Sequence, residues 1–386
     1  MNSTMKSTSF FTAVSVGMVL FSAHAGGGFA TGNQANTYFV NLGWTGIISA
    51  VLAMFLLTFT MREAMIMFNE RNLTTYKELF SNLFHPFDKL TVFFDIFFYI
   101  MVIMAIAAAI SGAASAMQQY VPFNYQFYVI VVGFVVLALT VFGADLVRKV
   151  STVMGMVILV TAISIYTIGS IKGGNIVEIF SMNYMEFGFQ NMPKAIMNAF
   201  VYAGFQCVTL PTMIICGKVL EDRNQVKKAM NFSFIINAIA LTLSVVMLSS
   251  WNSFYSSIEG GSTLPTLMIT KEIGMEALVV IYGICLVLCL LTTGVTTTFG
   301  FVSRFENVKM IEKIENPVKK RVIVSAFIIM VSMIISMAGL TNIIKYGYGY
   351  CGYLAIAIVV VPFLTVGVYK NRRYRRTSIK LASESI

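Results

Sequence analysis

Ser22-Ala23-His24-Ala25-Gly26-Gly27-Gly28-Phe29-Ala30-Thr31-Gly32 interrupts an apolar run that begins near residue 9 and ends near residue 34. Glycine costs about 1 kcal/mol per helical position relative to alanine, so three in succession favour an unwound segment. In lipid such a segment is tolerated only where it is buried in protein or lines a cavity, because its N–H and C=O groups find no water. Free N–H groups and the positive dipole end of a half-helix would then face an anionic group, and free carbonyls a cation. The alternative is close helix packing through small residues, as in GxxxG pairs.

The surroundings of this stretch are those of a membrane protein. The chain has 386 residues, of which 57% are hydrophobic and 11% charged, with a mean hydropathy of +0.79. Soluble domains carry about 25% charged residues. Ten apolar stretches approach or exceed the ~20 residues of a transmembrane helix: 9–34, 41–61, 90–118, 126–144, 150–171, 193–216, 230–252, 275–301, 321–342 and 346–369. An all-α membrane protein of about ten transmembrane helices is predicted.

A second interruption lies five spans after the first. Span six carries Tyr202-Ala203-Gly204-Phe205-Gln206, with Pro211 beyond it. Spans one to five begin on one side of the membrane and spans six to ten on the other. Two five-helix units of opposite orientation, each opening with an interrupted helix, are the sequence pattern of an inverted-repeat carrier whose site lies at the breaks. The expected organisation is a first repeat over 1–172, an extracellular connector over 173–192, a second repeat over 193–370 and a basic tail over 371–386.

The net charge of +10 sets topology rather than marking a nucleic-acid partner. With the N-terminus inside, the outer side holds only Lys172, Lys194, Lys271 and Lys345, which leaves 23 of the 27 basic residues inside. This is the positive-inside pattern, with the excess charge facing anionic lipid. Both termini are expected in the cytoplasm and the chain in the inner membrane; no oligomeric state is legible. Lys6, the apolar run to Ser22 and Ala23-His24-Ala25 imitate a signal peptide, but apolar sequence resumes at Phe29, which argues against cleavage. The five cysteines fall inside spans without histidine partners and read as small apolar fillers. Among the loops, 62–89 is expected to hold a short amphipathic surface helix and 253–274 to fold over the entrance, with a helix start at Ser262-Thr263-Leu264-Pro265.

Gly26-Gly27-Gly28-Phe29-Ala30-Thr31-Gly32-Asn33-Gln34 resembles the opening motif of the YkvI-like membrane proteins, within the amino acid–polyamine–organocation superfamily of LeuT fold. Phe200–Gln206, Leu291-Thr292-Thr293-Gly294-Val295 and Ser336–Asn342 match further motifs in register, so the resemblance covers nearly the whole chain. It implies a LeuT-like 5+5 inverted repeat with helices 1 and 6 broken, and carriage of amino acids or related solutes driven by sodium or protons. It also implies solute contacts at the two breaks, with help from spans three and eight, and a sodium site between span one and hydroxyls of span eight. His24 and Gln206 depart from the family pattern, so the substrate of typical members is not carried over.

The site expected for the solute comprises Ala23, His24, Gly26, Gly27, Gly28, Ser111, Tyr202, Gly204, Phe205 and Gln206. Thr293, Thr296 and Thr297 share one face of span eight at i, i+3 and i+4. Their hydroxyls, with backbone carbonyls near Ala23, are hard oxygen ligands suited to Na⁺; back-bonding to i−4 carbonyls is the alternative. His24, as an intramembrane ionisable group, would bind a solute carboxylate, carry a proton or stay neutral and structural. Asp95 is expected to pair with a basic residue at the inner face or to snorkel from the helix end. There is no P-loop, no zinc spacing and no nucleophile elbow, so neither an enzyme nor a bound cofactor is expected. Channel and sensor readings lack a filter loop or an output domain. The expectation is a secondary active transporter, a Na⁺-coupled symporter for a small amino acid or amino-acid-like solute, with a proton-coupled carrier using His24 as the alternative.

Overall fold

The computed structural model describes residues 2–24, 26–142, 144–305 and 316–384. Span one falls into three pieces: α1 (Asn2–His24), α2 (Gly27–Ala30) and α3 (Asn33–Tyr38). The N–H groups of Phe29 and Ala30 donate to the Gly26 carbonyl at 3.0 and 3.2 Å, which starts a new turn after the glycine-rich bend. The Thr31 hydroxyl then donates to the Gly28 carbonyl at 2.8 Å and accepts the Asn33 N–H at 3.2 Å, so one side chain joins α2 to α3. The interruption thus extends past the glycines to residue 33.

The chain continues through α4 (Thr45–Glu70), α5 (Tyr76–Phe84), α6 (Thr91–Gln118), α7 (Tyr125–Phe142), α8 (Ala144–Lys172) and α9 (Ile176–Phe187). Next come α10 (Met192–Gln206), a 3-10 turn at Cys207–Thr209, α11 (Leu210–Cys216), α12 (Arg223–Ser250), α13 (Asn252–Ser256), α14 (Pro265–Glu272) and α15 (Glu276–Phe305). The last are α16 (Pro317–Ser336), α17 (Leu340–Asn342), α18 (Gly349–Ala355) and α19 (Val368–Glu384), with π-helical stretches on either side of α18. All ten predicted spans fall on helix. Among the described residues, seven helices are long and apolar enough to cross a membrane, and α8 and α9, bent by 74°, make an eighth candidate, a count compatible with ten.

The break in span six has a local cause. Pro211 has no N–H to offer the Cys207 carbonyl, and Leu210 supplies its own one residue early, which tightens the helix into the 3-10 turn. The interruption therefore falls one turn after the region around Gly204.

Side-chain contacts define two ends of the molecule. At the basic end, Arg223 grips both Glu70 oxygens at 2.9 Å and donates to the Asn371 carbonyl at 3.1 Å. Asn371 in turn donates to the Glu63 carbonyl and carboxylate, both at 3.0 Å. The surface helix expected within 62–89 is α5. Thr75 caps it by accepting the Glu78 N–H, Glu78 reaches back to Thr74, and Leu79, Phe80 and Leu83 are buried.

At the opposite end, the segment 253–274 does lie over span one, and α14 starts at Pro265. Asn33 donates to the carbonyls of Ser262 and Thr263 at 3.1 and 3.0 Å and to the Thr341 hydroxyl at 2.9 Å. The Tyr255 hydroxyl donates to Asn36 at 2.8 Å, and the Tyr282 hydroxyl donates to the Ala30 carbonyl. These bonds close the end over Ala30 and Asn33, while Asn36, Thr37 and Tyr38 line a separate cavity of about 490 Å³ that also includes Lys194 and Lys345. The charged segment 303–320 lies largely outside the described residues. The five cysteines are free thiols, four of them buried, in keeping with a packing role.

Candidate functional site

The break in span one ends α1 at His24 and leaves a fully buried imidazole at the helix terminus. Its Nδ1 lies 2.7 Å from the Asn237 side-chain oxygen and its Nε2 lies 2.7 Å from the Tyr202 hydroxyl. Asn237 donates its amide N–H to the Ser233 carbonyl at 2.8 Å, so its oxygen must face the imidazole and Nδ1 must carry a proton. The Tyr202 hydroxyl, whose one proton serves either the free Nε2 or the Gln34 oxygen, lies 3.1 Å from that oxygen, which also accepts from the Gln206 amide at 3.3 Å. One polar thread thus runs from α12 through His24 to the two breaks. Such a network is tolerated in an apolar interior because its buried polar atoms are paired.

Gln34 reaches this position because residue 28 is glycine. A side chain there would collide with the Gln34 amide, which lies folded against the bare backbone. Gln34 belongs to the motif quoted above, yet sequence reasoning did not single it out. It lies ten residues past His24 on a separate helix, and the left-handed turn at Gly32 between α2 and α3 lays its side chain against Gly28.

Beside the thread is a cavity of about 370 Å³ lined by Ala23, His24, Gly26, Gly28, Gln34 and Gln206, by Thr293, Thr296 and Thr297, and by Phe98, Val102, Thr209 and Tyr348 among others. Its α6 residues, Phe98, Val102 and Ala105, run from the half of that helix toward the basic end to its middle. Thr297 and Gly300 come from the corresponding part of α15. The cavity therefore extends from the breaks toward the basic end, away from the stitched face.

The three threonines come together with the span-one break as expected. The Thr293 hydroxyl and the Ala23 carbonyl oxygen converge on Gly26, each 3.5 Å from where a side chain on it would begin. Thr293 donates its proton to the Cys289 carbonyl at 2.7 Å, and Thr296 donates to the Thr292 carbonyl at 2.8 Å. Back-bonding and ligation are therefore compatible: once the proton is committed to the helix, the oxygen lone pairs are free for a cation. Thr298 is buried away from the cavity and only back-bonds, to Gly294.

Other expected site residues lie elsewhere. Ser111 is hydrogen-bonded to the Tyr125 hydroxyl at 2.6 Å, which bonds onward to the Ser336 carbonyl, and it does not line the cavity. Gly204 packs against Gly352 of α18, where an added methyl would strike the facing carbonyl, so this glycine serves helix approach. Phe205 is buried among Tyr38, Tyr202 and Tyr348 at centroid distances of 4.9–5.3 Å, one layer behind the wall. Gly27 opens α2. Among the described residues Asp95 forms no ion pair with a basic side chain; its carboxylate accepts the Tyr76 hydroxyl at 2.7 Å. The phenol on α5 supplies a donor without bringing a second charge out of water.

No family model and no curated protein matches the chain by sequence. Solved structures match it in fold. A Na⁺-coupled sialic acid symporter in a substrate-bound outward-open state aligns over 92% of this chain and 90% of its own, with TM-score 0.59 and 14% identity. MhsT in complex with L-phenylalanine aligns over 89% and 87%, with TM-score 0.60 and 13% identity. Mhp1 in an inward-facing conformation aligns over 91% and 76%, with TM-score 0.52 and 14% identity. The chain is an all-α, multi-pass membrane protein of the LeuT fold. At these identities the likeness defines the architecture, and the solute has to be argued from the cavity.

Proposed function

We propose that this protein is a secondary active transporter, a Na⁺-coupled symporter that carries a small amino acid or amino-acid-like solute by alternating access. The observation that carries the reading is the convergence of both helix breaks and the span-eight threonines on one cavity. A cavity of about 370 Å³ has room for a small zwitterion. Gln34, Gln206 and the polar thread behind them offer donors and acceptors for a carboxylate or an amine. Na⁺ would sit between the Ala23 carbonyl and the oxygens of Thr293, Thr296 and Thr297, so that its binding ties α1 to α15. The halves then rock about the bound solute. The resemblance to YkvI-like proteins agrees with this reading. With the basic end in the cytoplasm, the arrangement described here is inward-facing.

A proton-coupled carrier is the second reading, favoured by the position of His24 on the cavity wall, in contact with Tyr202. Uptake of a radiolabelled amino-acid mixture into proteoliposomes, with Na⁺ and pH gradients imposed separately, tests both. Accumulation driven by the Na⁺ gradient alone is expected. Accumulation driven only by the pH gradient would favour the second reading, and ion currents without solute uptake would overturn both.

A further inference from the structure

A second cavity, of about 410 Å³, lies at the basic end between the end of α4, the C-terminus of α5 and the helix α19. Its charged lining is cationic: Arg71, Lys370 and Arg373, with His85 at the rim. Lys370 is held in place by three carbonyls at the end of α5, those of Asn82, Leu83 and His85, at 2.8, 3.1 and 2.9 Å. These dipoles orient the ammonium, and the carboxylate that attracts it, Asp88, is not part of the cavity lining. Arg71 is half-buried, its guanidinium 5.4 Å from the Tyr374 ring centroid, and it donates to the Asn82 side-chain oxygen at 3.3 Å. The neighbouring carboxylate of Glu70 is committed to Arg223 through both oxygens. The nearest acid on the rim, Asp88, faces His85 at 3.5 Å. Like charges gathered around one cavity repel unless an anion enters.

The level of this cavity in the molecule points to the source of the anion. Directly beyond His85, Phe87 is 69% exposed, and Val92 and Phe93 are exposed as well, an apolar flank that only lipid would cover. Tyr369 and Tyr374, both exposed, stand at the same level, as aromatic residues do at a membrane–water boundary. Guanidinium groups match phosphate oxygens through paired N–H donors.

We propose that this cavity binds the phosphate group of an anionic phospholipid, and that the bound lipid clamps α5 and α19 to the end of α4. The inference is independent of the solute site. The test uses the purified full-length chain, offered phosphatidylglycerol, phosphatidylcholine or inorganic phosphate, with lipid retention read by native mass spectrometry and thermal stability read alongside. Phosphatidylglycerol should be retained and should raise the melting temperature, whereas phosphatidylcholine should do neither. The Arg71→Gln/Arg373→Gln double variant should bind phosphatidylglycerol about tenfold more weakly, equivalent to about 1.4 kcal/mol. Arg373→Gln alone, at an exposed position that does not threaten folding, should show part of that loss. Lys227→Gln, which removes an exposed basic-end charge outside the cavity, should bind like the parent. Parent-like retention by the double variant, or an equal loss in Lys227→Gln, overturns the proposal. Full protection by inorganic phosphate, with nothing added by phosphatidylglycerol, overturns the lipid as the source.

Discussion

His24 and the span-eight threonines are the residues on which the reading of the cavity turns. Replacing His24 with Ala removes the link between Asn237 and Tyr202 and leaves the buried Asn237 side-chain oxygen without its partner, at about 1–3 kcal/mol, while Tyr202 keeps Gln34. Solute selectivity or the pH profile of uptake should change, as measured by competition with unlabelled amino acids; wild-type behaviour would make His24 a packing residue. Thr296→Ala/Thr297→Ala should raise the Na⁺ concentration for half-maximal uptake about tenfold, a loss of about 1.4 kcal/mol, while uptake at saturating Na⁺ is retained. A Na⁺ dependence equal to that of the parent would place the ion elsewhere. The type and spacing of His24 and the threonines were legible in the sequence because helical periodicity fixes which residues share a face. The role of Gln34 was not, because its approach to Gly28 depends on the left-handed turn at Gly32, which no periodicity encodes.

At the scale of elements, a single small residue decides how close two helices come. Gly204 of α10 and Gly352 of α18 meet backbone to backbone, and a methyl group on Gly204 would press on the Gly352 carbonyl. Gly204→Ala should destabilise the protein by about 1–3 kcal/mol, the usual range for overpacking, seen as a lower melting temperature; an unchanged value would show that the crossing can relax. The surface helix α5 supplies a pH test. Glu78 accepts both the backbone N–H and the hydroxyl of Thr74, which holds its carboxyl below the usual carboxylate range. A carboxylate lowered in the folded state stabilises above its ordinary value, near 4.3, and that contribution is lost as pH falls through the lowered value. Amide exchange at the start of α5, corrected for the intrinsic effect of pH, should therefore speed up over that acid window. Glu78→Gln should remove the dependence. The capping residues made α5 readable in advance. The two possible meanings of Gly204, break or close approach, were both available in the sequence, and the choice between them required its neighbour from another span.

Across the whole molecule, one end is stitched shut by the contacts of Asn33 and Tyr255 with neighbouring segments, and the cavity extends toward the other. Cysteine introduced at Thr297 or Gly300 should react with a membrane-impermeant maleimide applied from the cytoplasmic side. Cysteine introduced at Ala30, which is buried and whose carbonyl accepts the Tyr282 hydroxyl, should be protected from the outside. The reverse pattern of labelling would contradict the inward-facing arrangement. The sequence by itself determined the class of fold, because hydropathy over long runs, the absence of hydrogen-bonding solvent in lipid and the asymmetry of basic residues are properties of the chain read in order. It also located the span-one break, since consecutive glycines weaken a helix wherever it packs. Only the tertiary structure decided which residues form the cavity wall. That choice depends on contacts between residues far apart in the chain, such as His24 with Asn237 and Tyr202, and such contacts follow from how the helices cross rather than from any local pattern.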